Sequence, residues 1–319
     1  AAPHLAFAGH TDVVPPGDLD GWTVDPFAAE IRDGWLFGRG TVDMKGEIAC
    51  FVAATARFLE RHGPPKGSIS MLVTGDEEGP AVNGTVELLR WAAAEGHHFD
   101  GCIVGEPTGV EALGDTAKIG RRGSLTVTLE ARGKQGHVGY PHLADNAAHR
   151  IVTVLHRLTS EPLDAGTAHF EPSSLQVTTI DIGNPASNVV PARARAVLNI
   201  RYNDRQSPDS LRQVIETAIG AAGGQVEARY SEGAIAFLST PGELAARLAT
   251  SVEAVTGRRP RLSTTGGTSD ARFIQACCPV IELGLVGATI HQVDERVALD
   301  DLERLTLIYL DFLERSFRH

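Results

Sequence analysis

Residues 69–80 read ISMLVTGDEEGP, an apolar run that ends in three successive carboxylates between two glycines. The apolar part, Ile69–Val73, is typical of a buried strand. Asp76, Glu77 and Glu78 follow it, although like charges repel and are costly to remove from water. The stretch therefore predicts one of two things: a solvated acidic turn, or a cation site in which one carboxylate binds metal while its neighbour handles a proton.

The segments around this stretch alternate between strand and helix patterns. Leu5–Ala8, Ile69–Val73 and Gly101–Val104 are strand candidates, and Gly46–His62 and Thr85–Gly96 are helix candidates. Such alternation is typical of an α/β sheet with parallel strands. Ligands of these sheets bind at the carboxyl ends of the strands.

The pattern changes from about Gly123. The runs SLTVTLEAR, SSLQVTTIDIG and RARAVLNIRY alternate with period two, and helical patterns at Ala144–Leu158 and Pro208–Ala222 lie between them. This predicts an α+β module with a half-exposed antiparallel sheet. The α/β pattern returns after about Ala236 and ends in an amphipathic helix, Asp300–Phe317. We therefore predict a catalytic α/β domain (1–121 and 236–319) that is interrupted by a smaller inserted domain (122–235).

Length and composition limit the possible functions. The 319 residues suit two domains, 42% of them are apolar, and the formal net charge is −11 without a basic stripe. This argues against nucleic acid or an anionic membrane as partner, but not against a small anionic substrate.

The four cysteines lack a CxxC pair, which favours buried, reduced thiols in a cytoplasmic protein. We expect neither a membrane span nor a signal peptide. The strand-like run LAFAG comes so early that we also expect an N-terminal segment to be missing.

Residues of metal-ligating type follow the strand candidates. His10 and Asp12 in GHTDVVP lie two apart, so in an extended chain they face the same side. Asp12 would then orient His10 as a ligand, although a surface turn explains the pair equally well. Asp43 in GRGTVDMKG fits a helix N-cap. Taken alone, Glu106 in VGEPT fits a turn and His291 in ATIHQVDE fits a core histidine. Together, two histidines and at least three carboxylates at strand ends suit two metal ions, zinc or cobalt, with one carboxylate left over as general base.

The chain resembles the di-zinc aminoacylase/carboxypeptidase family of metallopeptidases. The resemblance is carried by four motifs that occur in this order: GHTDVVPPGD, GRGTVDMKGEIA, TGDEEGPAVNGT and VGEPT. The resemblance covers the chain from about residue 5 onward. It implies a di-zinc aminopeptidase-like catalytic domain with an inserted α+β lid/dimerisation domain, and hence a homodimer. It also implies roles for seven residues: Asp43 bridges two zinc ions, His10 and Glu106 complete one site, Glu78 and His291 complete the other, Glu77 is the general base, and Asp12 supports His10.

The resemblance extends into the inserted domain. His137 in GKQGHVGY resembles a histidine that reaches into the partner subunit's active site and stabilises the oxyanion, and Tyr140 and Asn188 resemble substrate contacts. A further group resembles residues that bind the substrate's carboxylates in the family: Arg121, Ser124, Arg201, Thr268 and Arg272. Arginine suits this task because its planar guanidinium group can donate two parallel hydrogen bonds to one carboxylate.

The motifs RRGSLTVTLEARGKQGHVGYPHLADN, SNVVPA, LNIRY and STTGGTSDARF narrow the resemblance to family members that hydrolyse N-succinyl-LL-2,6-diaminopimelate. Gly287 and Ser187 stand where the resemblance leads us to expect asparagine. Two alternatives stay open: a deacylase for another acyl-amino acid, such as acetylornithine deacetylase, and an inactive fragment that lacks its N-terminal segment.

Overall fold

A computed structural model of the chain describes residues 3–223 and 225–317. The chain divides into two compact units. The first runs to Gly120 and takes in Leu238–Thr265 and the residues from Ser269 onward, whereas the second comprises Arg121–Phe237 and Gly266–Thr268. The domain limits predicted from the sequence lie within two residues of these junctions, but they leave residues 266–268 in the first domain.

The strands, in chain order, are β1 (His4–His10), β2 (Glu30–Arg32), β3 (Trp35–Phe37), β4 (Ser68–Thr74), β5 (Gly101–Val104), β6 (Thr116–Lys118), β7 (Gly120–Arg121), β8 (Gly123–Arg132), β9 (Gly136–His137), β10 (Ser174–Asp181), β11 (Val189–Val190), β12 (Arg193–Tyr202), β13 (Val226–Glu232), β14 (Phe237–Leu238), β15 (Arg261–Ser263), β16 (Val280–Glu282) and β17 (Arg296–Ala298).

The α-helices are α1 (Lys45–His62), α2 (Thr85–Ala94), α3 (Ala147–Thr159), α4 (Pro208–Ala221), α5 (Glu243–Thr256), α6 (Ala271–Ile274) and α7 (Leu299–Phe317), with short 3-10 turns at Leu19–Gly21 and Pro141–Leu143. Within residues 3–223 and 225–317, the helices are too short or too polar to cross a membrane.

The main sheet of the first unit has the strand order β15-β6-β16-β5-β1-β4. β1 pairs in parallel with both β4 and β5, so the carboxyl ends of these three strands lie at one edge. This confirms the predicted α/β class. The observed β1 is longer than the predicted Leu5–Ala8, because parallel pairing continues as far as His10, which pairs with Thr74.

An aromatic cluster holds this sheet to its helices. The ring of Phe7 in β1 stacks on that of Phe51 in α1, with centroids 4.3 Å apart, and Tyr309 in α7 meets both rings edge-on. All three side chains are fully buried. Burying a side chain of this size contributes roughly 1.5–3 kcal/mol, so the cluster anchors α1, and with it the start of that helix, to the end of β1.

Two glycines let the start of α1 come close to the strand ends. A Cβ atom on Gly9 would lie 2.7 Å from Cε of Met44, and one on Gly105 would lie 2.5 Å from Cζ of Phe7 and 2.9 Å from Cε of Met44. Larger residues at these positions would push α1 away. Since Met44 follows Asp43 directly, the glycines keep that carboxylate beside the strand ends.

The second unit contains the predicted antiparallel sheet, in the order β10-β12-β8-β13. Along β8, every second residue is buried, and Leu125, Val127 and Leu129 pack in one core with Ile151 of α3 and Ile215 of α4. β13 lies outside the predicted elements, although VEARYSE does alternate.

Some predicted limits differ from the structure for a local reason. α3 begins at Ala147 rather than at the predicted Ala144, because the side chain of Asn146 accepts hydrogen bonds from the N–H groups of Ala148 and His149 and so caps the helix. The prediction that all four cysteines are buried is wrong for Cys277, which is exposed after α6.

Candidate metal centre

Three strand ends of the first unit bring histidine and carboxylate side chains to one edge of its main sheet. His10 is the last residue of β1, Glu77 and Glu78 follow β4, and Glu106 lies two residues beyond β5. These strands are parallel neighbours, so the sequence positions that follow them fall close together.

Two further ligand candidates come from loops. Asp43 precedes α1, but it is not the N-cap of that helix: Met44 occupies the cap position, without a side-chain hydrogen bond. The Asp43–Met44 peptide bond is cis. His291 lies in the loop between β16 and β17, where the sequence alone allowed a core histidine; its side chain is instead 47% exposed.

The carboxylate of Asp43 stands between the two histidines. Its Oδ1 lies 3.1 Å from Nε2 of His10, and its Oδ2 lies 3.0 Å from Nε2 of His291. On the first side, Oε1 of Glu106 is 3.6 Å from His10 Nε2; on the second, Oε1 of Glu78 is 2.9 Å from His291 Nε2. Two triads of ligand atoms, each within 4.8 Å of one another, therefore share Asp43.

The three successive carboxylates of the opening stretch have different surroundings. Oδ2 of Asp76 accepts hydrogen bonds from the N–H groups of Val82 and Asn83, so this residue closes the turn after β4. Glu78 joins the second triad, and Glu77 lies close enough to group with His10 and Glu78. The turn raised as one possibility thus occurs at Asp76, and the cation site stays a prediction for Glu77 and Glu78.

Asp12 contacts both the histidine and the glutamate loop. Nδ1 of His10 lies 2.9 Å from the backbone oxygen of Asp12 and 3.5 Å from its Oδ1. The Asp12 carboxylate also accepts the backbone N–H groups of Glu77 and Glu78, at 3.3 and 3.0 Å. The histidine is therefore oriented mainly by a carbonyl group, while the side chain of Asp12 holds the loop.

The electrostatics of His10 and Asp43 are those of a buried ion pair. Burial by itself would lower the pKa of His10, but its hydrogen bond to Asp43 and the surrounding carboxylate charges outweigh burial and raise that pKa to about 10. Burial would raise the pKa of Asp43, yet the hydrogen bonds and charges of His10 and His291 bring it below its ordinary value. Asp43 is accordingly an anion that the two histidines stabilise.

The other carboxylates lack such compensation. Burial, followed by the negative charges of Asp43 and Glu77, raises the pKa of Glu106 well above its ordinary value. Burial and the charge of Asp43 likewise raise the pKa of Glu78. These groups are crowded and partly or fully removed from water, a condition that a bound cation relieves.

Glu77 has an intermediate character. Burial raises the pKa of its carboxyl group to about 7. The positive charge of His10 opposes the shift, whereas the negative charges of Asp270 and Glu78 add to it. A carboxyl group with a pKa near neutrality is suited to both accepting and donating a proton.

The donor set fits a pair of divalent metal ions. Each triad offers one imidazole nitrogen and oxygens from two carboxylates, a mixture typical of zinc and its neighbours in the first transition series. Glu106 is 7% exposed, so its anionic form needs a positive group beside it. His10, Asp43 and Glu106 would hold one ion, and Asp43, Glu78 and His291 the other.

Comparison with known proteins assigns the chain to a family. The model of peptidase family M20/M25/M40 matches residues 6–315. The chain belongs to this family. M20 relatives include a protein named succinyl-diaminopimelate desuccinylase from Rhodospirillum centenum, 60% identical over 315 residues, which cover 99% of this chain and 82% of the relative. A protein of the same name from Methylorubrum extorquens is 57% identical over 323 residues, with 99% and 84% covered.

Solved M20 structures share the fold. An M20 family metallo-carboxypeptidase from Sulfolobus solfataricus superposes with a TM-score of 0.76 at 17% identity, covering 100% of this chain and 86% of its own. A Bacillus subtilis protein described as a dinuclear metal binding peptidase from the M20 family gives a TM-score of 0.68 at 14% identity, covering 99% and 82%. These structures show the fold, and the family match together with the named relatives makes the chain a metal-dependent hydrolase of the M20 family.

The predicted substrate-binding residues fall into separate groups. Within the second unit, Ser124 of β8 and Arg201 of β12 are register partners, and Nη1 of the buried Arg121 donates to the Gly267 oxygen, one residue before Thr268. His137, Tyr140 and Asn188 form another group.

In that group, His137 pairs with Val189 across β9 and β11, its backbone oxygen accepts the Tyr140 N–H, and the Asn188 oxygen accepts the Val138 N–H. His137 and Tyr140 are exposed. In the first unit, Arg272 of α6 is close enough to Glu77 to lower the pKa of that carboxyl group.

The buried carboxylates beside the centre that were not predicted include those of Glu47 and Glu295. Glu47, in the first turn of α1, is fully buried with a pKa raised well above its ordinary value by burial. Glu295, four residues after His291, is also fully buried. A glutamate in a helix or loop pattern is usually exposed, so the sequence carried no signal for either, apart from the position of Glu295 as the last residue of the ATIHQVDE motif.

Proposed function

We propose that this protein is a metal-dependent amidohydrolase that cleaves the succinyl amide of N-succinyl-LL-2,6-diaminopimelate, giving succinate and LL-2,6-diaminopimelate. The observation that carries the proposal is the 60% identity, over 99% of the chain, to a relative named succinyl-diaminopimelate desuccinylase. That name specifies both the acyl group and the amine.

The cofactor we propose is a pair of Zn²⁺ ions, with Co²⁺ as an alternative occupant. The shared carboxylate of Asp43 and the two triads around it support a count of two. When bound, such ions supply Lewis-acid chemistry, which makes a water molecule acidic enough to attack at neutral pH and polarises the amide carbonyl group.

Glu77 is the residue we assign to proton transfer. Its carboxyl group lies beside the ligands without belonging to either triad around Asp43, and its pKa is about 7. It takes a proton from the attacking water as the new C–O bond forms at the succinyl carbonyl carbon. It then gives that proton to the amide nitrogen as the C–N bond breaks, so that the amine leaves in neutral form.

The remaining assignments rest on the family resemblance. Arg121, Ser124, Arg201, Thr268 and Arg272 are proposed to bind the substrate carboxylates, and Tyr140 and Asn188 to contact the substrate. His137 is proposed to stabilise the oxyanion from the partner subunit of a homodimer. A cytoplasmic location is part of the same proposal.

The alternatives have less support. The curated relatives that match 99% of the chain at 57–60% identity carry the desuccinylase name rather than that of another deacylase. For an inactive fragment, assembly of all five predicted ligands within one unit would be coincidental.

A direct hydrolysis assay tests the proposal. Chelator-treated protein is given N-succinyl-LL-2,6-diaminopimelate and, separately, N-acetylornithine, with and without added Zn²⁺. We expect metal-dependent release of succinate and no release of acetate. Cleavage of acetylornithine alone would contradict the substrate assignment but preserve the mechanism, and turnover that does not depend on metal would contradict the mechanism itself.

A further inference from the structure

A single buried carboxylate, that of Glu295, is hydrogen-bonded to the loop that carries Asp43. Oε1 of Glu295 accepts the backbone N–H groups of Gly40, Val42 and Asp43 at 3.0, 2.9 and 3.2 Å. Its Oε2 accepts a hydrogen bond from Nη1 of Arg39, at 2.5 Å. One side chain therefore satisfies three backbone donors around Asp43, including the donor of Asp43 itself.

Strand pairing places Glu295 against this loop. β17 pairs with β3 so that Arg296 is opposite Phe37. One residue further along, the N–H group of Gly38 donates a hydrogen bond to the backbone oxygen of Glu295 at 2.9 Å. The backbone hydrogen bonds between β17 and β3 end at this pair. In the segment Gly40–Asp43, the side chain of Glu295 instead accepts three of the backbone N–H groups.

The same residue ends the loop that carries His291. His291 and Asp294 have positive φ values of 59° and 56°, so this loop takes a conformation that is uncommon for residues with side chains. Thr289 closes its base: its Oγ1 accepts the Arg296 N–H and donates to the Arg296 oxygen, both at 3.1 Å. Glu295 thus joins a closed His291 loop to the Asp43 loop.

Arg39 stabilises the buried carboxylate of Glu295. Glu295 is fully buried, and an isolated carboxylate there would be unfavourable. The Arg39 side chain, which is 2% exposed, compensates the charge, and its guanidinium group lies over the Trp22 ring, 5.4 Å from the ring centroid. With four hydrogen bonds and a paired charge, Glu295 has the partners that a buried anion requires.

We propose that Glu295 is a positioning residue for the metal centre: it sets the relative placement of Asp43 and His291, and so the affinity and geometry of the metal position that these two residues share with Glu78. The inference rests on the proposed metal sites, but it does not depend on which amide is cleaved. Glu295 does not touch the reacting atoms.

The test variant is Glu295→Gln. Glutamine keeps the volume of the side chain and one acceptor oxygen. The group opposite Arg39 becomes either the amide NH₂ or an uncharged oxygen, so the ion pair is lost in both orientations of the amide. Apo protein is titrated with Zn²⁺ by calorimetry and with Co²⁺ by visible absorption. We expect the affinity of at least one metal position to fall by about 10- to 100-fold, the cobalt spectrum to change, and kcat to fall with little change in KM.

Asp164→Asn is the matched control. Asp164 also accepts backbone N–H groups, those of Gly166 and Ser173 at 2.8 and 3.1 Å, and the side-chain amide of Asn203 at 2.6 Å, but it lies in the second unit, to which none of the five predicted metal ligands belongs. We expect this variant to lose stability to urea while its metal affinities and cobalt spectrum stay those of the wild type.

The possible outcomes separate the two proposals. If Glu295→Gln loses stability but binds both metals with wild-type affinity and spectrum, the positioning role is wrong. If it does not fold, Arg39→Lys, which keeps the charge but not the guanidinium fork, must shift the cobalt spectrum away from that of the wild type, and an unchanged spectrum overturns the inference. Wild-type protein that binds two metals yet leaves the succinyl substrate intact contradicts the proposed function only.

Discussion

The backbone N–H of Glu77 donates a hydrogen bond to Oδ1 of Asp12, at 3.3 Å. The next N–H group, that of Glu78, donates to the other oxygen of the same carboxylate at 3.0 Å. Asp12 therefore fixes the loop after β4 to the end of β1, two residues after His10. The proposed proton-transfer group, Glu77, and a metal-ligand candidate on another strand, His10, are therefore both held by one residue.

Replacing Glu77 by glutamine should nearly abolish turnover without removing metal. The amide keeps the shape of the side chain but cannot accept a proton, so we expect kcat to fall by about 10²- to 10⁴-fold. Steady-state kinetics and metal analysis of the purified variant measure the two effects. Asp76→Asn is the control, because the Asp76 carboxylate accepts hydrogen bonds from the turn backbone at Ala81, Val82 and Asn83. Substantial turnover by the Glu77 variant would show that another group moves the proton.

Metal binding should release protons. In the metal-free protein the pKa of His10 is about 10, so the imidazole carries a proton at pH 7 that must leave before the nitrogen can bind a metal. We therefore expect zinc affinity to rise with pH between about 6 and 9. Calorimetry at pH 7 in buffers of different ionisation enthalpy counts the protons, and a binding heat that is independent of the buffer would contradict the prediction.

The second unit should lose stability in acid through Asp164. Burial alone would raise the pKa of this carboxyl group, but hydrogen bonds from Ser173, the Gly166 N–H and Asn203 lower it to about 2. A depressed pKa contributes stability above the ordinary value near 4, and that contribution disappears as the pH falls toward 2. The stability difference between wild type and Asp164→Asn should therefore narrow over this range.

Hydrogen exchange of the β8 and β12 amides is the appropriate measurement, because all three tryptophans of the chain lie outside the second unit. Asp209→Asn serves as control: the Asp209 side chain is 89% exposed and pairs with Arg212 on the surface, where ion pairs contribute little. A stability difference for Asp164→Asn that stays constant from pH 7 to pH 2 would rule out the assigned role.

Tyr309→Phe should destabilise the first unit. The buried Tyr309 hydroxyl donates to the Leu283 oxygen at 2.6 Å, and its removal leaves that carbonyl group without this donor, at a cost of about 1–3 kcal/mol in the free energy of unfolding. Tyr230→Phe removes a hydroxyl that donates to Glu216 at the surface and should change stability by less than about 0.5 kcal/mol. Equal effects in urea denaturation would contradict this reasoning.

Short-range patterns in the sequence predicted most of the helices and strands, and they also predicted that histidine and carboxylate residues follow the strands. The strand Gly101–Val104 has the predicted limits, because four apolar residues between turn signals leave little choice. The family resemblance then singled out Asp43 and His291, which no periodicity distinguishes from a cap or a core residue.

The rest depends on contacts between distant segments. The burial of Glu295 results from the pairing of β17 with β3, and the grouping of Gly266–Thr268 with the second unit is likewise a long-range property. Neither leaves a mark in the neighbouring residues. Cys277 and Cys278 are indistinguishable in the sequence, yet only Cys278 is buried, because the turn after α6 points adjacent residues in different directions.

The hydrogen bond between His291 and Asp43 joins residues 248 positions apart. The triad of His10, Asp43 and Glu106 is complete once residue 106 has left the ribosome, whereas the other triad also needs residue 291, which follows the whole of Arg121–Phe237. Because chains emerge from the N-terminus onward, the two proposed metal positions are completed at different moments of synthesis. A nascent chain stalled before residue 291 would possess at most one of them, so loading of both positions requires synthesis to have passed that residue.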